Sequence, residues 1–266
     1  MHPLRRAALV ASLLAVPITV LVTALPAEAA VGDRYVALGD SYASGLGAGS
    51  YTAESGNCKR STNAYPALWA AASVPTSYTS VACSGATVPD VHNSQLAAVT
   101  ATTTLVTITI GGNDIGFASI MTTCVLSGTA ACIDSVQAAE NLVRTSLGPA
   151  LDALYTAISA RAPKAKVVVL GYPVFYQLGT ICIGLAEAAR AKINEGINLL
   201  DDVTAGLARQ HGFTFADVRA NFVGHQLCSG ARWLYALDIL NLTQSYHPTA
   251  AGQSGGYFPA LKTAAN

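Results

Sequence analysis

Charged side chains are scarce in this sequence. Asp, Glu, Lys and Arg make up 11% of its 266 residues, against about a quarter in an ordinary soluble domain. The 15 basic and 15 acidic residues balance, and no segment gathers Lys and Arg into a stripe that could neutralise nucleic-acid phosphates. We therefore expect no nucleic-acid partner and a surface of Ser, Thr, Asn, Gln and Gly, which suits uncharged or apolar substrates.

Residues 31–266 also lack long apolar runs, domain linkers and metal-binding motifs. No later apolar run is long enough to cross a bilayer, so we expect no stable membrane insertion. No linker, low-complexity run or internal repeat divides residues 31–266, which predicts one domain. We also expect a monomer. Zinc-type spacing is also absent, because no C-x-x-C pair or histidine cluster occurs. We expect no metal and no organic cofactor.

The first 30 residues have the pattern of a secretory signal peptide. Two arginines precede an apolar run over residues 7–25, and Ala-Glu-Ala at 27–29 is a small-x-small cleavage site. A membrane anchor is the alternative reading, but Pro17 interrupts the run and a cleavage site follows it. We predict a secreted, extracellular protein that is cleaved near Ala29 or Ala30.

The cysteines of an exported chain are expected to form disulfides. There are six: Cys58, Cys83, Cys124, Cys132, Cys182 and Cys228. Spacing alone favours one bond, because Cys124 and Cys132 close a short loop within a single connection. Neighbour pairing would join the other four as Cys58–Cys83 and Cys182–Cys228, but spacing leaves their pairing open.

Short β-type apolar runs alternate with helical stretches along the chain. The runs cover residues 35–38, 78–81, 105–110, 167–170 and 213–218, and the main helical stretches cover 135–162 and 185–211. Such alternation predicts a parallel sheet with helices on both faces. Ligands of these sheets bind outside the carboxyl ends of the strands, so the loops that follow the strands are where chemistry is expected.

Three predicted strands end in distinctive segments, and a fourth segment comes late in the chain. They read "GDS" at 39–41, "ACSGA" at 82–86, "GGND" at 111–114 and "YHPTAAG" at 246–252. Ser41 is a candidate nucleophile, which needs a base within hydrogen-bond reach. His247 is the favoured base because Pro248 holds it in an extended segment ahead of a helix; His225, in a Gly-flanked loop, is its rival.

Acyl transfer also needs donors for the oxyanion of the tetrahedral intermediate. Suitable donors are the backbone N–H groups of Ser41 and Gly85 and the side-chain amide of Asn113, each at the end of a different predicted strand. Taken singly, Gly85 reads as a tight bend and Asn113 as a turn residue. Their joint position beside Ser41 favours a catalytic interpretation.

The four segments, in this order, resemble the sequence blocks of the SGNH hydrolases, also called GDSL esterases and lipases. The resemblance covers residues 31–266 and is greatest to the secreted bacterial lipase, phospholipase and esterase branch. It implies an α/β fold: a flavodoxin-like three-layer α/β/α sandwich with a parallel sheet of about five strands. It also implies Ser41 as nucleophile, His247 as base, an oxyanion hole of Ser41, Gly85 and Asn113, and neighbour disulfides.

One position departs from the family pattern. The family usually has Asp three residues before the histidine, where this chain has Gln244, and an amide cannot supply the charge that orients and stabilises imidazolium. Some members of the branch use a main-chain carbonyl, for which Ser245 is the first candidate and Gln244 the second. Asp238 is an alternative acid at an unusual spacing, and Asp40 is read as an organiser of its turn.

A second serine motif is a decoy. "GQSGG" at 252–256 fits the G-x-S-x-G nucleophile elbow of α/β-hydrolases, in which an acid and a histidine must follow the serine. No Asp, Glu or His follows Ser254. We therefore interpret this motif as structural.

These observations predict a serine esterase or lipase that hydrolyses carboxylic esters through a Ser–His acyl-enzyme. Ile115, Phe117, Ile120 and Met121, with segment 172–179, could line an acyl groove or simply pack in the core. Together with the resemblance, they favour fatty acyl esters of glycerides or phospholipids as substrates. Carbohydrate acetylesterase and acyltransferase activities use the same residues and stay open, and a non-catalytic binding module is the remote alternative.

Overall fold

The computed structural model describes residues 32–238 and 242–266. The predicted signal peptide and its cleavage site lie outside the described residues. Residues Gly32–Asn266 cluster as one unit. No helix within the described ranges has the length and apolar character that a bilayer span requires.

A five-stranded parallel sheet organises the fold. Its strands are β1 (Arg34–Gly39), β2 (Ser77–Ser80), β3 (Leu105–Thr109), β4 (Lys166–Leu170) and β5 (Thr214–Ala216), in the order β2-β1-β3-β4-β5. In the register, Val36 of β1 pairs with Thr79 on one side and Val106 on the other. The predicted parallel sheet is confirmed, with strand ends within a few residues of those expected.

Burial follows the position of each strand in the sheet. β1, β3 and β4 are almost wholly buried, as expected of central parallel strands that are covered on both faces and rich in Val, Ile and Leu. The edge strand β2, with the sequence SYTS, is mostly exposed. The apolar runs thus form the centre of the sheet and bring their carboxyl ends to one rim.

Helices cover both faces of the sheet. They are α1 (Ser41–Ser44), α2 (Tyr65–Ser73), α3 (Val88–Asp90), α4 (Phe117–Leu126), α5 (Gly128–Leu142), α6 (Gly148–Arg161), α7 (Glu187–Gln210) and α8 (Phe258–Ala265). α2 and α8 contact each other, and α8 contacts β4 and β5; α5 and α6 pack against α7, which contacts β4 and β5. This three-layer α/β/α arrangement agrees with the predicted fold class.

The helix predicted over 135–162 is divided in the structure. α5 already begins at Gly128, and a π-helical turn at Val143–Leu147 separates it from α6. Pro149 stands in the first turn of α6; it has no N–H to donate, and its ring would clash with the carbonyl four residues earlier in a regular helix. The π turn is the kind of local adjustment that accommodates such a break.

Three disulfides join neighbouring cysteines: Cys58–Cys83, Cys124–Cys132 and Cys182–Cys228. The first ties the 3₁₀ turn Ala53–Cys58 to the segment after β2. The second links α4 to α5, and the third links the loop before α7 to the loop after β5. All six cysteines are bonded, in the arrangement that the family resemblance implies.

Candidate active site

The chain turns sharply at the end of β1, and glycine makes the turn possible. Gly39 has φ +124°, and a Cβ at this position would overlap the carbonyl oxygen of Thr109 on β3. The next residue, Asp40, donates its N–H to that same carbonyl at 2.9 Å. β1 and β3 therefore approach closely where β1 ends, and the following residue, Ser41, is presented at the rim.

Ser41 is the first residue of α1, and Asp40 caps this short helix. The Asp40 carboxylate accepts the N–H of Tyr42 at 2.9 Å. The buried Gln95 brackets the turn from the other side: its amide accepts the N–H of Gly39 at 2.8 Å and donates to the Gly39 carbonyl at 2.9 Å. The backbone around Ser41 is therefore held by several independent hydrogen bonds.

His247 lies beside Ser41 although the two residues are 206 positions apart. Its Nε2 is 2.7 Å from the Ser41 hydroxyl oxygen, and its Nδ1 is 3.0 Å from the carbonyl oxygen of Ser245. A carbonyl can only accept, so this contact puts the ring proton on Nδ1 and leaves Nε2 free to accept from Ser41. Desolvation lowers the pKa of His247 to about 4, and the imidazole is therefore neutral at pH 7.

The histidine is oriented by its own loop. Its backbone N–H donates to the Gln244 carbonyl at 3.1 Å, while Ser245 supplies the acceptor for Nδ1. Tyr246, which lies between Ser245 and His247 in the chain, has φ +68°, a strained conformation for a residue with a bulky side chain. Asp238 meets this loop through its backbone N–H, which donates to the Ser245 hydroxyl at 2.9 Å.

The two other candidate donors border the same space. Gly85 and Asn113 both line the cavity that contains Ser41 and His247. Gly85 has φ +84°, and a Cβ there would meet no described atom within 4 Å. The Asn113 amide donates one proton to the Ala86 carbonyl at 2.9 Å, which leaves its second N–H for another acceptor.

A second contact joins the loops that carry these donors. The Asp114 carboxylate accepts the N–H of Val88 at 2.9 and 3.2 Å. Together with the Asn113 bond, it ties the loop after β3 to the loop after β2. The relative positions of Gly85 and Asn113 are therefore set by direct hydrogen bonds.

An apolar cavity of about 500 Å³ opens beside Ser41. Its walls include the four residues expected after β3, namely Ile115, Phe117, Ile120 and Met121, together with Tyr172 and Phe175 of segment 172–179. Only Ile115 lies in a loop as expected, because α4 begins at Phe117 and carries the other three. Segment 172–179 contributes only in part, since Leu178 is 41% exposed and is not in the lining. An apolar cavity of this size is of the kind that binds a hydrocarbon chain.

One wall of this cavity was not predicted from the sequence. It is formed by Val136, Ala139 and Val143 from α5 and the following π turn, and by Ile193, Gly196, Ile197 and Leu200 of α7. A signal was present: Gly196 interrupts the apolar face of a long helix, where glycine costs about 1 kcal/mol relative to alanine. A Cβ at Gly196 would lie 2.9 Å from a methyl group of Val136, so this glycine lets α7 lie close to α5.

The rival residues have other surroundings. The His225 ring stacks on Trp233 with a centroid separation of 3.5 Å, and its Nδ1 lies 2.6 Å from the Ala231 carbonyl oxygen. Ser254 is exposed on a π-helical turn, where its hydroxyl donates to the Ala251 carbonyl. Its neighbour Gln253 is fully buried and holds the backbone of Tyr65 and Tyr42, so the decoy motif supports the turn after β1.

The chain is similar in sequence to known lipases. A family model described as the GDSL-like Lipase/Acylhydrolase family matches residues 37–254. The chain is 56% identical over 243 residues to Lipase 1 of Streptomyces coelicolor, with 91% of each chain covered.

Two solved structures resemble this one closely. An extracellular lipase from Streptomyces rimosus has 54% identity and a TM-score of 0.85, with 86% of this chain and 98% of that chain covered. Phospholipase A1 from Streptomyces albidoflavus has 51% identity and a TM-score of 0.86, with 88% and 99% covered. Sequence, fold and relatives therefore agree: the chain is a carboxylic ester hydrolase that belongs to the GDSL-like lipase/acylhydrolase family.

Proposed function

We propose that this protein is a secreted serine esterase that hydrolyses fatty acyl esters of glycerides or phospholipids with Ser41 as nucleophile and His247 as base. The observation that carries the proposal is the 2.7 Å contact between the Ser41 hydroxyl and His247 Nε2 at the mouth of an apolar cavity. The Ser41–His247 pair thus matches the reactive carbonyl of the substrate, and the adjacent apolar cavity matches its acyl chain.

The reaction proceeds in two steps. His247 Nε2 takes the Ser41 proton as the hydroxyl oxygen attacks the ester carbonyl, and the C–O bond to the alcohol then breaks as His247 protonates the leaving oxygen. Water, deprotonated by His247, attacks the acyl-enzyme and releases the fatty acid. Ser41 is regenerated with its proton, and no other reactant is required.

The oxyanion of each tetrahedral intermediate is held by three donors: the N–H groups of Ser41 and Gly85 and the free amide proton of Asn113. Such donors are aimed at charge that develops only in the transition state, so they raise kcat more than they tighten substrate binding. The contacts of Asn113 with Ala86 and of Asp114 with Val88 support this assignment, because they hold the donors in place before substrate arrives.

The Ser245 carbonyl takes the role that an aspartate usually has in the family. It fixes the tautomer and the direction of the imidazole. Desolvation lowers the pKa of His247 to about 4, and the contact with the Ser245 carbonyl raises it only in part, since a neutral carbonyl stabilises imidazolium less than a carboxylate does. The negative oxyanion, formed next to the ring, then supplies the charge that balances imidazolium during turnover.

The substrate assignment rests on the cavity and on the relatives. Its apolar walls favour an acyl chain over a polar sugar, and the solved relatives include proteins described as an extracellular lipase and a phospholipase A1. An acetyl group would leave most of the cavity without a ligand, so the size of the cavity argues against an acetylesterase.

Two measurements test the assignment. Hydrolysis of a series of p-nitrophenyl esters from acetyl to palmitoyl should show higher kcat/KM for the longer chains, and Ser41→Ala should abolish it. Preference for acetyl-xylan over every longer ester would contradict the lipid assignment. Fluorophosphonate labelling followed by peptide mapping should find the label on Ser41, whereas a label on Ser254 would refute the proposed nucleophile.

Export, cleavage and oligomeric state are part of the proposal. Three disulfides and an extracellular relative support secretion, and N-terminal sequencing of the exported protein should begin near residue 30 or 31. Light scattering should give the mass of a monomer. Product analysis with an added alcohol distinguishes hydrolysis, which yields free acid, from acyl transfer, which yields a new ester.

A further inference from the structure

Tyr172 reaches from the end of β4 to the loops that carry the proposed catalytic groups. Its hydroxyl donates to Asp40 Oδ2 at 2.5 Å across 132 sequence positions. The same oxygen accepts the N–H of Gly112 at 3.1 Å. One side chain therefore joins the turn after β1, which holds Ser41, to the loop after β3, which holds Asn113.

The contact with Asp40 leads directly to Ser41. Asp40 accepts the Tyr172 hydroxyl with Oδ2 and the backbone N–H of Tyr42 with Oδ1. Ser41 lies between Asp40 and Tyr42 in the chain. The bond to the Tyr42 N–H helps to fix the backbone on both sides of Ser41, and the bond from Tyr172 fixes the carboxylate that makes it. Burial raises the pKa of Asp40 to about 7, and the hydrogen bonds from Tyr172 and Tyr42 act in the opposite direction, favouring the ionised form.

The contact with Gly112 leads to Asn113. A Cβ at Gly112 would lie 3.3 Å from the Tyr172 hydroxyl oxygen and 3.4 Å from the ring carbon that bears it. These contacts are tight, so a side chain at this position would require the tyrosine or the loop to shift by a few tenths of an ångström. Its next residue is Asn113, whose amide faces the cavity.

Tyr172 is itself held in place. Its backbone N–H donates to Oδ1 of the fully buried Asp201 at 2.9 Å. Its ring packs edge-on against Tyr42, with centroids 4.9 Å apart, and the side chain is 6% exposed. A buried side chain anchored at both ends is a rigid spacer, as precise positioning of a site requires.

We propose that Tyr172 is a positioning residue for ester hydrolysis, whose hydroxyl sets the distance between the Ser41 and Asn113 oxyanion donors. This inference rests on the proposed function. Tyr172 does not touch the reacting carbonyl; it acts through Asp40 and Gly112. Because the donors work on charge in the transition state, its loss lowers kcat and leaves KM nearly unchanged.

Tyr172→Phe removes the hydroxyl and keeps the ring. For a butyryl ester, we expect kcat to fall about tenfold to a hundredfold, the range that displacement of a positioned group by up to about 1 Å can cost, with KM within about twofold of the wild-type value. Tyr155→Phe is the matched control: Tyr155 is fully buried, is not in the cavity lining, and its hydroxyl has no hydrogen-bond partner in the described part of the chain. It should leave both constants unchanged.

A double-mutant cycle separates positioning from a general structural effect. Asp40→Asn can still accept from Tyr42 but offers an N–H instead of an acceptor to Tyr172, so it should also lower kcat. Tyr172→Phe should then cause little further loss in the Asp40→Asn protein. Should Tyr172→Phe unfold at the assay temperature, Asp40→Asn alone tests the same bond.

The outcomes are distinct. The inference would be overturned if Tyr172→Phe kept the wild-type kcat or if its main defect were a raised KM. It would also be overturned if the losses of kcat in the two single variants multiplied in the double variant, or if Asp40→Asn kept the wild-type kcat. Failure of the proposed function looks different, because the wild-type protein would then leave esters intact or Ser41→Ala would retain activity.

Discussion

Replacing Asn113 with alanine tests the proposed oxyanion hole at its one side-chain donor. The structure predicts two effects of different size. Loss of an oxyanion donor costs about 2.7–4 kcal/mol of transition-state stabilisation, or about a hundredfold to a thousandfold in kcat. Loss of the 2.9 Å bond to the Ala86 carbonyl costs about 1 kcal/mol of folding free energy.

These effects are measured separately. Initial rates over a range of ester concentrations give kcat and KM, and urea denaturation gives the free energy of unfolding. Asn221→Ala is the matched control, because the Asn221 amide also donates to a loop carbonyl, that of Gly256, at 2.8 Å and is not in the cavity lining. It should lose similar stability and keep its kcat.

Asn113→Asp sharpens the comparison. The carboxylate is nearly isosteric with the amide but has no proton to donate and repels an oxyanion, so its kcat should be at least as low as that of Asn113→Ala. A fall in kcat of less than about threefold in Asn113→Ala, where loss of a true donor costs at least about a hundredfold, would refute the assignment of Asn113 to the oxyanion hole.

Three further predictions follow from the site and its supports. The neutral form of His247 is needed as base and its pKa is about 4, so the acid limb of kcat/KM that belongs to His247 should lie near pH 4, below the ordinary histidine value of about 6.5. Because Asp40 has a pKa of about 7, the profile is compared with that of Asp40→Asn, which removes any limb due to Asp40. A limb near 6.5 that persists in Asp40→Asn would contradict the assignment to His247. Gly196→Val should narrow the cavity and lower the ratio of kcat/KM for the palmitoyl ester to kcat/KM for the butyryl ester. Gly206→Val is the control on the same helix, because a Cβ there would meet no described atom within 4 Å, and it should leave this ratio unchanged. Equal ratios in the two variants would exclude Gly196 from the wall that binds the acyl chain. Cys182 and Cys228 are 46 residues apart, and Cys124 and Cys132 are 8 apart. Replacing both cysteines of the longer loop should lower the free energy of unfolding by about 1.5 kcal/mol more than replacing those of the shorter loop, because the unfolded chain then gains more conformational entropy. Urea denaturation measures both losses.

The proposed catalytic residues could be found from sequence because they follow strands. A parallel sheet brings the carboxyl ends of its strands to one rim, which predicts that Ser41, Asn113 and the loop after β2 lie together. Only the family resemblance selects Gly85 from the nearby glycines of that loop. In the structure all three residues line one cavity. Pro248 marked His247 in a similar way. Local signals of this kind depend only on neighbouring residues in the chain, so they can be recognised without a structure.

Contacts between distant segments could not be predicted in the same way. Nothing near Tyr172 in the sequence indicates that its hydroxyl meets Asp40, because that contact depends on the spacing of β4, β3 and β1 in the sheet. The choice of Ser245 over Asp238 or Gln244 as the acceptor for Nδ1 likewise depends on the path of a loop. The wall formed by α5 and α7 depends on how closely two helices pack.

The separation of Ser41 and His247 along the chain has a consequence for biosynthesis. The proposed dyad joins the segment after β1 to the segment before α8, so a polypeptide truncated before His247 should hydrolyse no ester, however well its five strands have paired. Activity should therefore appear only after the segment that carries His247 has been made, and shorter fragments of this protein should leave lipid esters intact.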